Sequence, residues 1–477
     1  RLEWIPAVTD LDLCFTPATE LASRIRAGTL SPVTIVENAL ARIAEVNPGL
    51  NCFCFVYADE ALALAQQMEA EARAGHFRGP LHGVPYALKD LTPTKGKRTT
   101  LGSYAYEHWV PDHDAPIAEA LANAGGILIG KTTTPEFAYS SFTESPLWGI
   151  TRNPWNQERT AGGSSGGSGA AVASGCVPFA EGSDMGGSVR IPASFCGIVG
   201  LKPSFGRIPF TILPSQYDQL SHFGPLARTI GDACLFLQIT QGPDDRDIQS
   251  LTAPLDFAGP LPSDLKGKHL ALLLKVGNHI WHPEVEAAVR RAADTFAKAG
   301  AIIEEVSLPW GKDEDELWSA HWGVYLATFF GHVLKDYRTK MDPNVVRLIE
   351  SGLSMNAVEF KKIEVVRTRM WGEIQPILAR NEAILTGTMC QPAAKVGRND
   401  AEYWQLDAQG GYRALDFTSV WNFVSPCPAL SVPAGLTSDK LPIGLQMIGR
   451  RHDDLGVLGL GAALEKLQPW WDQRPPI

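Results

Sequence analysis

The chain has 477 residues, 45% of them hydrophobic and 20% charged, which is ordinary globular composition with ample material for a large buried core. A formal net charge of −10 argues against a partner bound through its phosphate backbone, because such proteins carry a basic face. No run of about 18 apolar residues occurs, so no membrane-spanning helix is expected.

Eight cysteines (14, 52, 54, 176, 196, 234, 390 and 427) are scattered without a CxxC pair or a dense framework, which fits a reduced cytoplasmic setting. Cys52 and Cys54 form a C-x-C with no second cluster nearby and read as a buried strand alternating Cys and Phe rather than half a metal site. No secretory leader precedes Leu2, although the start at Arg1 without Met leaves a trimmed leader open.

In chain order, SPVTIVENALARIAEVNP opens with Ser31 as N-cap and Pro32 at the first helical position. Val36, Ala39 and Ile43 share one face, and Asn47-Pro48 is expected to stop the helix. ADEALALAQQMEAEARAG repeats the helical pattern. GVPYALKD and GGILIGKT read as buried strands with the helical DAPIAEALANAG between them, so strand and helix alternate and the fold class is α/β. From Phe205 to about Leu265 the text is rich in Pro, Gly and polar residues and reads as long connections. HPEVEAAVRRAADTFAKAGAIIEEVSL resumes helix and strand, and Asn356 to Arg380 reads as a long amphipathic helix. Length alone allows about two or three domains, but no repeat or low-complexity linker divides the chain, so a single domain over 1–477 is expected.

The densest local signal is AGGSSGGSGAAVASG, Ala161 to Gly175. A phosphate cradle would end in Lys-Ser/Thr, which is absent. A nucleophile elbow fits Gly162–Gly166 as G-x-S-x-G but should follow a hydrophobic strand, and NQERTA precedes it. A plain flexible loop is the remaining reading. A second island weighs against it: in EGSDMGGSVRIPASFCGIVGLKP, Gly186-Gly187 deliver Ser188, bracketed by Asp184 and Arg190. Glycines before a serine let successive backbone N–H groups turn toward one point, the geometry of an oxyanion hole.

Together these islands closely resemble the amidase signature family of serine hydrolases. The resemblance extends to GPLHGVPYALKD, NPWNQERTAGGSSGG and PALSVPAGLTSDKLPIGLQMIG; it is strongest over about 80–210 and 420–450 and weak over about 215–420, where the substrate pocket is expected. It implies one large domain with a central mixed β-sheet flanked by helices on both faces, and a Ser-cisSer-Lys triad. Ser188 stands at the nucleophile's place, Ser164 at the bridging serine's and Lys89 at the general base's. Met185, Gly186, Gly187 and Ser188 would offer backbone N–H groups to the oxyanion, Ser165 would join the hydrogen-bond network, and Asp184 with Arg190 would form a structural ion pair. No cofactor and no metal is implied.

The chemistry requires a neutral amine. Lysine ordinarily titrates at about 10.4, so Lys89 must be buried among apolar groups, and GVPYAL before it supplies them. The acid limb of the pH profile should then fall below that value, whereas a histidine base would titrate near about 6.5. Histidines 222, 269, 279, 282, 321, 332 and 452 sit in no recognisable motif. Asp112-His113-Asp114 reads as a solvated turn before a helix rather than metal ligands. Trp318, Trp322, Tyr325, Phe329 and Phe330 read as core packing, with pocket lining the alternative.

The expected activity is hydrolysis of a linear amide or carbamate (urethane) C–N bond through an acyl-Ser188 intermediate, with esterase side activity, on a small and apolar or aromatic substrate. The alternative within the resemblance is the glutaminase-transamidase subunit of a tRNA-dependent amidotransferase; AILTGTMCQPAAKVG departs from the proline-rich strand end expected there. A non-catalytic binding protein is disfavoured by the joint presence of Lys89, Ser164 and Ser188. A monomer or homodimer without nucleic-acid or membrane partners is expected.

Overall fold

The computed structural model describes residues 9–477; Arg1 and Leu2, and with them the question of a trimmed leader, lie outside the described residues. One eleven-stranded sheet organises the chain. Its strands are β1 Phe53–Val56, β2 Pro85–Lys89, β3 Ile127–Thr132, β4 Phe179–Asp184, β5 Val199–Lys202, β6 His222–Ala227, β7 His269–Val276, β8 Ile302–Leu308, β9 Ala383–Gly387, β10 Ala429–Leu436 and β11 Pro442–Gly449. They lie in the order β1-β3-β2-β4-β6-β5-β10-β11-β9-β7-β8.

The sheet is mixed. β2 runs parallel to β3 and β4, and β7 runs parallel to β8 and β9, while the strands between these groups pair antiparallel. Both faces are covered: Tyr86 and Leu88 enter one hydrophobic cluster and Ala87 between them enters another, as period-two alternation through a buried strand requires. Among the described residues no helix is long and apolar enough to cross a membrane.

Most expected elements are present. Ser31 accepts the N–H groups of Val33 and Thr34 and starts the Pro32–Leu50 helix, whose Val36, Ala39 and Ile43 are buried. That helix does not stop at Asn47-Pro48; it runs to Leu50 and ends at Asn51 in the left-handed conformation. Asn47 Oδ1 instead accepts the N–H groups of Cys52 and Phe53, so the asparagine caps the exit downstream of the helix end. The stretch read as long connections holds β6 and the Ile230–Thr240 helix. Gly224 and Pro225 make β6 look like a turn, yet a Cβ at 224 would meet Leu201 O at 1.9 Å, so glycine is what a central strand this close to its neighbour needs. Asp112-His113-Asp114 is a turn before the Pro116–Asn123 helix, with His113 on Asp112 at 2.9 Å and the Lys95 N–H donating to Asp114.

Two helices, Lys312–Phe330 and Pro343–Ser354, pack in one hydrophobic cluster with Leu91 and Met185, which follow β2 and β4. They meet at Gly323 and Gly352, where a Cβ on Gly352 would lie 2.0 Å from Gly323 O. Gly352→Ala is therefore expected to push the helices apart at a cost of about 1–3 kcal/mol. Gly372→Ala, in the Ala357–Arg380 helix with no atom within 4 Å of the added Cβ, should instead stabilise by up to about 1 kcal/mol. Denaturant midpoints of the two variants check both signs.

Candidate active site

β2 and β4 run parallel, so the end of one strand and the turn after the other emerge at the same edge of the sheet. The first delivers Lys89, whose side chain is fully buried. Its Nζ lies 2.6 Å from Ser164 Oγ, 3.0 Å from Ser183 Oγ and 3.1 Å from Ser165 Oγ. An ammonium can donate to all three hydroxyls; a neutral amine donates to two and accepts from the third. Burial lowers Lys89 from the ordinary lysine range to about 7, while the carboxylates of Glu181 and Asp184 pull it back up.

The first glycine-serine island supplies two of those hydroxyls. A polar two-stranded hairpin, Arg152–Asn153 with Asn156–Thr160, leads into it, and the fully buried Gly166–Ala173 helix leads out. The Gly163–Ser164 peptide is cis. Close approach, more than freedom, explains the glycines: a Cβ at 163 would lie 2.4 Å from Ser140 O, and one at 167 would lie 2.4 Å from Thr133 N.

The second island is a turn from β4 into the Arg190–Cys196 helix. Asp184 and Arg190 form a fully buried bidentate pair at 2.9 and 2.8 Å, and Arg190 also donates to Gln446, Asn422 and the carbonyl of Thr418. Asp184 further accepts the N–H groups of Gly187 at 2.9 Å and Val189 at 3.2 Å. Of the four N–H groups expected at an oxyanion, that of Gly187 is thus turned onto the Asp184 carboxylate, leaving Met185, Gly186 and Ser188. Ser165 N–H donates to Ser188 O at 3.2 Å and ties the two islands together.

Two side chains absent from the motifs hold this turn. Trp318 Nε1 donates to Met185 O at 3.1 Å, and Thr418 Oγ1 donates to Gly186 O at 2.6 Å. Because a trans peptide points its N–H opposite its C=O, fixing the Met185 carbonyl also aims the Gly186 N–H. A Cβ on Gly186 would lie 2.2 Å from the Trp318 ring, and Gly187, at φ 124°, would meet Thr418 Oγ1 at 2.0 Å.

Ser188 is half-buried and lines a cleft with Met185 and Gly186. Trp318, Trp322 and Trp404 line it together with Asp315, Asp400 and Asp416. The aromatic stripe serves both expected ends: Trp322, Phe329 and Phe330 share one core cluster with Trp318 and Tyr325 packed against it, and Trp318 and Trp322 also line the cleft. Burial and then the neighbouring Asp416 push Asp315 up to about 7, burial pushes Asp416 up to about 6, and burial also raises Asp400. Among the described residues lining the cleft there is no arginine, lysine or histidine.

A lysine buried at the end of a strand, among two serines of a glycine-rich turn and one of the neighbouring strand, beside a second turn that presents a serine to a cleft, fits a hydrolase-type site. A family profile named Amidase matches residues 34–458. The chain is 34% identical over 472 residues to an acylamidase of Rhodococcus erythropolis, covering 98% of each. It is 35% identical over 472 residues to a glutamyl-tRNA(Gln) amidotransferase component of Thermosynechococcus vestitus, covering 94% of this chain and 97% of that one. Its fold matches a bacterial aryl acylamidase of the amidase signature family at TM-score 0.88 and 29% identity, over 96% of this chain and 97% of that one. The match to 6-aminohexanoate cyclic dimer hydrolase has TM-score 0.84 and 28% identity, over 97% and 99%. The chain belongs to the amidase signature family and is a C–N hydrolase of that family.

The buried pair carries a stability prediction. Burial raises the Asp184 carboxyl, but the charge and hydrogen bonds of Arg190, with Asn422, outweigh it and hold it well below the carboxylate range. A depressed carboxylate contributes fully above its unfolded value of about 3.9 and loses that contribution only as pH falls through the folded one. Asp184→Asn leaves Arg190 buried without its counter-charge and should cost about 3–5 kcal/mol at neutral pH, read as a drop in the unfolding midpoint. The cost should shrink in strong acid, where wild-type Asp184 is also protonated.

Proposed function

We propose that the chain is a serine amidohydrolase in which Ser188 is the nucleophile, Ser164 the proton bridge and Lys89 the general base. The observation that carries this reading is the 2.6 Å contact between the buried Lys89 amine and Ser164 Oγ, directly behind the turn that presents Ser188 to the cleft. Neutral Lys89 draws a proton from Ser164, Ser164 draws one from Ser188, and Ser188 attacks the carbonyl carbon. The oxyanion faces the backbone N–H groups of Met185, Gly186 and Ser188, each worth about 3 kcal/mol where such a donor is removed. The proton returns through Ser164 to the departing amine, and water then cleaves the acyl-serine ester.

The substrate class proposed is a small linear amide or carbamate with an apolar or aromatic portion, and esters of the same acyl group should also turn over. The tryptophans of the cleft support the apolar portion. The acylamidase and aryl acylamidase relatives point the same way. Eight free cysteines fit a reduced cytoplasmic location.

The amidotransferase relatives favour a second reading, glutaminase activity within a larger assembly. Glutamine brings an α-ammonium, which the three aspartates suit, and an α-carboxylate, for which the described cleft lining offers no cationic side chain; the missing partner weighs against this reading. Ammonia release from glutamine by the isolated chain, at rates matching anilides or carbamates in a side-by-side panel, would reverse that preference.

Ser188→Ala should abolish hydrolysis with the unfolding midpoint little changed, since its hydroxyl faces the cleft. Activity well above background would remove Ser188 from the nucleophile's role.

kcat/KM should rise with pH along one ionisation near about 7, the value to which burial brings Lys89. That position lies close to an ordinary histidine, so the limb alone does not separate a lysine from a histidine base, contrary to the sequence expectation. Lys89→Arg does separate them: guanidinium keeps its proton throughout the accessible range, so this variant should be inactive at every pH. Lys89→Ala should lose more on an amide than on an activated ester, because a phenolate leaves without a proton. An active Lys89→Arg enzyme contradicts the base assignment; equal losses on a matched amide and ester show that only activation of the nucleophile, not reprotonation of the amine, matters to the rate.

A further inference from the structure

On β4, Glu181 shares a face with Ser183, and Ser183 reaches the Lys89 amine. Glu181 is fully buried. Its Oε2 accepts the backbone N–H of Lys89 at 2.9 Å and the Thr92 hydroxyl at 3.1 Å, while Oε1 has no partner. A buried carboxylate oxygen without a donor is costly, so its presence beside the base calls for a reason.

The surrounding charges narrow that reason. Two carboxylates act on the Lys89 amine, Glu181 and Asp184. Asp184 is bound on both oxygens by Arg190, which offsets its charge. On the β3 side, buried Lys131 donates to Thr92 O at 2.8 Å and to Thr99 Oγ1, and the carboxylate acting on it most strongly is Asp90. Asp90 in turn is held by the N–H of Thr100 at 2.9 Å, and burial raises the thiol of Cys54 on β1. Among the described residues Lys89 makes no ion pair within 4 Å. Glu181 is left as the acidic group that both grips the main chain of Lys89 and lacks an arginine of its own.

We propose that Glu181 is a positioning residue for the general base: its carboxylate anchors the backbone of Lys89 and its charge sets the pH at which the amine gives up its proton. The inference rests on Lys89 being the base. Burial also raises Glu181, so its charge is partial near neutrality and the two groups titrate against each other.

The test is the pH profile of kcat/KM for wild type, Glu181→Gln, Thr92→Val and Lys89→Ala. Glutamine keeps an acceptor for both donors and removes the charge. With the larger of the two carboxylate influences on the ammonium removed, the acid limb should move to lower pH by about one unit or more. Thr92→Val removes a donor that favours ionised Glu181, so the limb should move the same way by less; this variant serves if Glu181→Gln does not fold. A limb that stays in place in the folded variants, whatever happens to the plateau, means Glu181 is only structural and overturns the proposal. Lys89→Ala separates the two failures. If it is inactive while the limb stays fixed, the Glu181 inference alone is wrong. If it keeps the wild-type profile, the base assignment is wrong and the inference falls with it.

Discussion

The removal of one amine from water governs this architecture. An ammonium buried without an ion-pair partner is costly, and the least expensive response is to let it go neutral. Lys89 sits in that condition: fully buried, contacted by three serine hydroxyls and lowered toward neutral pH. Hydroxyls suit it because each can donate or accept, so the network stays satisfied whether or not the amine holds its proton. A carboxylate in contact would have locked the ammonium form. The polar contacts of the site therefore exclude a direct counter-ion as much as they supply hydrogen bonds.

Holding that arrangement demands close backbone packing. Ser164 and Ser165 come from a turn whose neighbours approach so nearly that Gly163 and Gly167 leave no room for a Cβ, and Ser183 comes from the strand next to β2. The Asp184–Arg190 pair then fixes the following turn by binding Gly187, Val189 and the carbonyl of Thr418. Buried pairs of this kind contribute little net stability compared with apolar replacements. Here the pair has a further effect: it orders the turn that carries Ser188.

The islands around Ser164 and Ser188 and the strand ending in Lys89 were legible because glycine and serine stand there at fixed positions in short motifs, although the neighbours those glycines admit, Ser140, Thr133, Trp318 and Thr418, were not. Elements governed by distant contacts were not. β6 carries Gly224 and Pro225, which read as a turn, and only the proximity of Leu201 O explains the glycine. Asn47-Pro48 reads as a helix stop, but the Asn47 side chain caps Cys52 and Phe53 and moves the stop downstream. Ser183 and Glu181 could have been found from period-two alternation beside the lysine strand, once the pairing of β2 with β4 was known. Thr418 and the three cleft aspartates carried no such signal, since Asp315, Asp400 and Asp416 meet only through the tertiary fold.

The segment with weak family resemblance is joined mechanically to the strongly matching core. Trp318 lies on the Lys312–Phe330 helix, forms part of the cleft wall and donates to the carbonyl of Met185, while its ring fills the space a Gly186 side chain would need. A change in the wall that shifted this indole would also release the peptide that aims the Gly186 N–H. Pocket shape and the proposed oxyanion donors therefore cannot vary independently at Trp318, and Trp322, whose ring stacks on Trp318 at a centroid distance of 6.1 Å and shares a core cluster with Met185, is coupled to the same turn. A change to the cleft near either indole therefore also disturbs the Met185–Gly186 peptide that carries the proposed oxyanion donors.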